Sequence, residues 1–87
     1  MSASLKLVFF ARLREDLGTN AEELALPADV GTVAALRSHL AARGGAWSTT
    51  LAEGKAIRVA VNQAMAQPGT PVKPGDEVAF FPPVTGG

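Results

Sequence analysis

The chain has 87 residues, 8 Lys+Arg against 8 Asp+Glu, no cysteine and 47% hydrophobic residues. That length supports one domain with a small core, because folding at this size buries only a little over ~60% of the unfolded surface. The balanced charge lacks the basic excess of a nucleic-acid binder, and the absence of thiols excludes disulfides, a cysteine nucleophile and thiolate-ligated zinc. Lys6 interrupts the only early apolar run, and no stretch reaches the ~20 apolar residues of a membrane span. A cytoplasmic protein with no nucleic-acid and no membrane partner is the expectation.

Leu5 to Arg12 reads as a first strand. Leu5, Leu7, Phe9, Ala11 and Leu13 alternate on one face, and Lys6, Val8, Phe10, Arg12 and Arg14 share the other. The second face mixes apolar and charged residues, so a half-covered face and a partner-binding face both fit. Arg14 to Asn20, with Gly18 and Asn20, reads as a turn. Glu22 to Leu26 reads as a second strand that pairs antiparallel with the first, because the connection is short. Thr32 to Arg43 reads as a helix, with Thr32 as N-cap and Val33, Leu36 and Leu40 on one stripe. Arg43 suits the last turn, and Gly44 and Gly45 stop the helix.

Trp47 to Leu51 reads as a short helical turn, and Ile57 to Val61 as a third strand. Asn62 and Gln63 suit a tight turn before a short return strand at Ala64 to Ala66. Pro68 to Pro71 is loop, Pro74-Gly75 is a turn pair, and Glu77 to Phe81 is the last strand. Pro82 and Pro83 then prevent further ladder pairing. A hairpin, a crossing helix and further strands predict an α+β β-grasp. Its mixed sheet carries one main helix on one face, with the first and last strands side by side at the centre. Residues 1–83 form that domain, and 84–87 a flexible tail.

No catalytic set is evident. His39 lies at the edge of the helical stripe with no acid close in sequence, and reads as a boundary histidine. Glu15, Asp16, Glu22 and Glu23 lack the ligand spacing of a calcium loop and read as a solvated turn. Gly44-Gly45 and Pro74-Gly75 do not follow the phosphate-loop pattern.

The C-terminus carries the remaining signal. At an average glycine usage of about 7%, a terminal Gly-Gly arises by chance in roughly 0.5% of chains. A frayed end is the plain reading. A frayed end does not ordinarily leave a strand through a stiff Pro-Pro, however. Glycine lacks Cβ, so Gly86 and Gly87 can thread a narrow channel and bring a carboxylate close to reacting groups. Pro83 to Gly87 reaches roughly 16 Å at ~3.3 Å per residue, enough to enter another protein's active site. Activation of that carboxylate by ATP makes an acyl donor. Capture by sulfur gives a thiocarboxylate, and capture by an amine gives an isopeptide bond.

The run Gly75-Asp76-Glu77-Val78-Ala79-Phe80-Phe81-Pro82-Pro83-Val84-Thr85-Gly86-Gly87 resembles the C-terminus of the molybdopterin synthase small subunit family, the ubiquitin-like sulfur carriers. Leu7 to Arg14, Val33 to Leu40 and Val59 to Gln63 are similar to that family's first strand, helix, and third strand with its turn. The resemblance implies a sulfur-donating subunit without a catalytic set of its own, working in a heterotetramer of two small and two large subunits. It implies that Gly87 is adenylated by a ubiquitin-activating-like adenylyltransferase using ATP. A sulfur donor then converts Gly87 to a thiocarboxylate. Val84, Thr85 and Gly86 thread into the large catalytic subunit, where sulfur passes to cyclic pyranopterin monophosphate. The chain itself is expected to bind no cofactor and no metal.

Neighbouring residues in a strand face opposite sides, so Phe9, Val78 and Phe80 are expected in the core. Val8, Phe10 and Phe81, with Pro82 and Pro83 beside the tail, are then expected as a partner-binding surface. Three other readings stand beside the carrier for molybdenum cofactor synthesis. The first is a thiamin-pathway sulfur carrier, against which the Phe-Phe-Pro-Pro-Val-Thr-Gly-Gly tail argues. The second is a protein modifier conjugated through Gly87, and the third is an interaction module with an inert tail.

Overall fold

A computed structural model of the chain describes residues 3–52 and 54–83. The elements are β1 (Ser4–Phe9), α1 (Ala11–Leu17), β2 (Ala21–Ala25), α2 (Val33–Ala41), α3 (Gly45–Thr50), β3 (Arg58–Val61), β4 (Ala64–Met65) and β5 (Glu77–Phe81). The five strands form one mixed sheet in the order β2-β1-β5-β3-β4. β1 and β5 run parallel at its centre with Leu7 opposite Val78 and Phe9 opposite Phe80, and the other pairings are antiparallel. This is the β-grasp anticipated from the order of elements.

Alternation along each strand decides what is buried. Leu5, Leu7, Phe9, Leu24, Val59, Val78 and Phe80 fill the face beneath the helices, together with Val33, Leu36 and Leu40 of α2. Each such side chain contributes about 1.5–3 kcal/mol by leaving water. The Phe9 and Phe80 rings stack at 5.7 Å, and Trp47 meets Phe9 edge-on at 5.5 Å.

The first connection departs from the sequence expectation. The strand ends at Phe9 rather than Arg12, and residues 11–17 form a helix where the sequence suggested strand and turn. Phe10 prolongs the extended backbone by one residue, and Ala11 then takes a left-handed φ of 54° that turns the chain into α1. Leu13 and Leu17, four apart, are one helical stripe that closes over the core. Strand alternation accounted for Leu13 equally well, so the period of two masked the helix. The antiparallel pairing of β1 and β2 stands, but across residues 10–20 rather than a tight turn. Arg12 and Arg14 therefore leave the sheet face for α1.

The other local signals behave as expected. The Thr32 hydroxyl accepts from Ala35 N at 3.1 Å and caps α2. The helix stops at Ala41, two residues before Arg43. Freed from the helix, Arg43 makes a bidentate pair with Glu22 and stacks 4.5 Å over Trp47. Gly44 and Gly45 both take positive φ, 83° and 56°, where the chain turns into α3. Asn62 and Gln63, at φ 51° and 71°, make the tight turn between β3 and β4.

Candidate functional site: the exit of the central strand

β5 lies between β1 and β3, so its C-terminal end leaves from the middle of the sheet. Phe10 N donates to Phe80 O at 3.1 Å, which extends the β1 pairing almost to that end. Phe80 is fully buried, whereas Phe81 is half-buried on the sheet face that no helix covers. Pro82 and Pro83 are half-buried beyond it. Val84, Thr85, Gly86 and Gly87 lie outside the described residues.

Strand alternation puts Val8 and Phe81 on one face of the sheet. Val8 pairs in register with Ala79, and Arg58 with Phe81, so these side chains share the uncovered face. Val8 is half-buried, and Phe10 stays 49% exposed beside the strand exit. Ala60 and Met65 continue the same face in β3 and β4, and Met65 is 58% exposed. Sequence reasoning omitted Ala60, Met65 and Ala79. The signal was present in the alternation of Arg58 and Ala60 with Val59 and Val61, and of Ala79 with its neighbours. Around the exit the face is apolar apart from the exposed Arg58 opposite Phe81, and it is charged toward the other end, where Lys6 stands opposite both Glu23 and Glu77.

Behind the exit is a cleft of about 290 Å³ between α1, α3 and the α3–β3 connection. Pro82 and Pro83 form one wall, and Arg12, Asp16, Thr50 and Lys55 supply its polar lining. A larger groove of about 400 Å³ lies between α2 and β3 and is lined mainly by apolar side chains. Arg37 lies in that groove with its guanidinium already engaged. Nε donates to Leu51 O at 2.9 Å, and one terminal nitrogen donates to Ala52 O and Lys55 O.

The perturbed titrating groups are remote from the exit. The Arg43 hydrogen bond holds the Glu22 carboxyl below its usual range, against a smaller opposing effect of burial. Asp76 is likewise held low, chiefly by the bond from Asn62 and further by Lys73. His39 is half-buried on α2, at the boundary where the stripe placed it. Among the described residues no group of three or more His, Asp or Glu side chains is placed to hold a metal ion. The chemistry this arrangement supports is presentation: a backbone delivered from a rigid central strand, past two prolines, beside an apolar face.

Comparison with known proteins places that arrangement in a family. The ThiS family profile matches residues 7–87, nearly the whole chain. The chain belongs to the ThiS family. It has the ubiquitin-like β-grasp fold. It is 52% identical over 83 residues to the molybdopterin synthase sulfur carrier subunit of Escherichia coli (strain K12), covering 95% of this chain and 99% of that protein. Among solved structures it is similar to the small archaeal modifier protein 1 of H. volcanii. That match has 28% identity, a TM-score of 0.76, and covers 95% of this chain and 100% of the other. It is also similar to a chain in the complex of subunits 1 and 2 of the molybdopterin-converting factor from Helicobacter pylori 26695. There the identity is 25% and the TM-score 0.60, over 97% of this chain and 99% of that one. Among the described residues no helix is long and apolar enough to cross a membrane.

Proposed function

We propose that this ThiS-family chain is the sulfur carrier subunit of a molybdopterin synthase. The observation that carries the reading is the 52% identity, over nearly the full length of both chains, to a subunit of that name. The central-strand exit beside an uncovered apolar face supports it, because a carrier must hold out its terminus and dock by a neighbouring surface. Gly87 provides the terminal carboxylate. One of its oxygens attacks the α-phosphate of ATP in a ubiquitin-activating-like adenylyltransferase, and pyrophosphate leaves. Hydrosulfide, delivered by the sulfur donor, then attacks the acyl carbon; AMP leaves, and loss of a proton gives the thiocarboxylate.

Val84, Thr85 and Gly86 carry that group into the large catalytic subunit, where sulfur passes to cyclic pyranopterin monophosphate. The dithiolene product holds two sulfurs, so each product consumes two loaded carriers. Bases, ATP site and pterin pocket belong to the partners, in line with a chain that supplies one carboxylate and no catalytic set. The docking surface is Val8, Phe10 and Phe81 with Pro82 and Pro83. The complex of subunits 1 and 2 formed by the H. pylori relative supports a large-subunit partner for this chain. A heterotetramer working in the cytoplasm is part of the same reading.

A second reading, conjugation through Gly87 to target amines, is favoured by the likeness to small archaeal modifier protein 1. Intact-mass analysis separates the two. The chain is incubated with activating enzyme, ATP and a sulfur donor, and its C-terminal peptide is weighed. Replacement of one terminal oxygen by sulfur is expected; isopeptide conjugates without thiocarboxylate would establish the modifier instead. Deletion of Gly87, or one residue added after it, is expected to abolish sulfur transfer with an unchanged melting temperature. Transfer that survives either change would refute the mechanism.

A further inference from the structure

The charge of this chain sums to zero, yet it is unevenly placed around the strand exit. Among the described residues, the cleft behind Pro82 and Pro83 is lined by two cations, Arg12 and Lys55, and by one carboxylate, Asp16. Two positive charges less one negative leave a surplus of one at the root of the tail. Among the described residues the ion pairs lie elsewhere, Arg43 with Glu22 and Lys73 with Asp76, so neither Arg12 nor Lys55 has an ion-pair partner there.

The cleft is also held in shape before any partner arrives. Arg37 ties the connection that carries Lys55 to α2 through the carbonyls of Leu51, Ala52 and Lys55 itself. Arg12 stands on α1, which Leu13 anchors in the core. A protein that takes in the tail must pass the two prolines that wall this cleft, so Pro82 and Pro83 are common to the cleft and the docking surface.

We propose that this cleft seats a carboxylate side chain of the large catalytic subunit, received between Arg12 and Lys55; the inference rests on the sulfur-carrier reading above. Charge complementarity picks the ligand. Two cations without ion-pair partners, on walls that need little rearrangement, suit an incoming Asp or Glu. Asp16, one turn from Arg12 on α1, repels that carboxylate and so weakens the seat it lines. Apolar contacts on the open face supply area without fixing the rotation of the carrier. One charged contact at the tail root fixes the register in which the tail enters and raises the rate of productive encounter.

The test measures affinity for purified large subunit as a function of sodium chloride. Wild type is compared with Arg12→Gln/Lys55→Gln and with Asp16→Asn, all exposed positions, each variant checked for an unchanged melting temperature. The double variant is expected to bind about tenfold more weakly at low salt, with a shallower salt dependence. Asp16→Asn is expected to bind as tightly as wild type or more so. Unchanged affinity and salt slope in the double variant would overturn the inference and leave the carrier reading standing. Weaker binding by Asp16→Asn would overturn it in favour of a cationic partner group. A defect confined to the adenylation step would assign the cleft to the activating enzyme, against the proposal. Failure of the wild-type chain itself to bind the large subunit would remove the carrier reading and this inference together.

Discussion

Among the described residues Asp76 is the buried charged one, and its partners explain its place. The Asn62 amide donates to its Oδ1 at 3.0 Å, Lys73 N to its Oδ2 at 2.9 Å and Lys73 Nζ to its Oδ1 at 3.1 Å. Asn62 in turn accepts from Glu77 N at 3.0 Å, so one carboxylate ties the β3–β4 turn to the start of β5. Asp76→Ala leaves those donors without their acceptor and is expected to cost about 1.5–3 kcal/mol of stability, read by urea denaturation. Because the folded carboxyl sits below its ordinary value of 3.8, its contribution is complete above that pH. It fades as pH falls through the lowered pKa, so the gap between wild type and Asp76→Ala must narrow on acidification. A gap that widens toward acid would contradict the assignment. Ala11 shows the limit of reading residues singly. Nothing in an alanine announces a left-handed φ; the packing of Leu13 and Leu17 on the far side of the bend imposes it.

Elements with a local code were legible. The α2 start was readable because the Thr32 hydroxyl satisfies a backbone donor that would otherwise be orphaned. Thr32→Ala is therefore expected to cost about 1 kcal/mol, a fall in Tm of roughly 4–8 °C for a domain of this size. An unchanged thermal melt would show that the cap contributes nothing. β5 was readable to the residue, since Pro74-Gly75 opens it and Pro82-Pro83 closes it. α1 was not. The run Ala11-Arg-Leu-Arg-Glu-Asp-Leu17 contains good helix formers and a four-residue apolar spacing. It also continues the alternation of the preceding strand, and a period of two over five positions outweighed the weaker signal. The end of α2 was overrun for a related reason. Arg43 suits a helical last turn, but its pair with Glu22 on β2 and its stacking on Trp47 place it outside the helix.

At the scale of the molecule, the uncovered sheet face is the surface proposed to meet a partner. Phe81 reaches that face while Phe80 holds the core beneath it, so the two positions separate docking from folding. Phe81→Asp is expected to weaken large-subunit binding by at least about tenfold, as for other central aromatic contacts, while the isolated domain still unfolds cooperatively. Wild-type affinity in this variant would show that the face is not the docking surface. The sequence by itself determined the order of the five strands with α2 and α3, the inward and outward sides of β1 and β5, and the Pro-Pro-Val-Thr-Gly-Gly end on which the functional proposal depends. These follow from alternation, capping and turn chemistry, all local in the chain. Only the tertiary structure decided that Ala60, Met65 and Ala79 share that face, and that Arg12 and Lys55 line one cleft beside Pro82 and Pro83. Those groupings depend on which strands become neighbours and on a helix that bends Arg12 off the sheet. Both are settled by burying Leu13, Phe9 and Phe80 in one core, a long-range condition that no local window of sequence expresses.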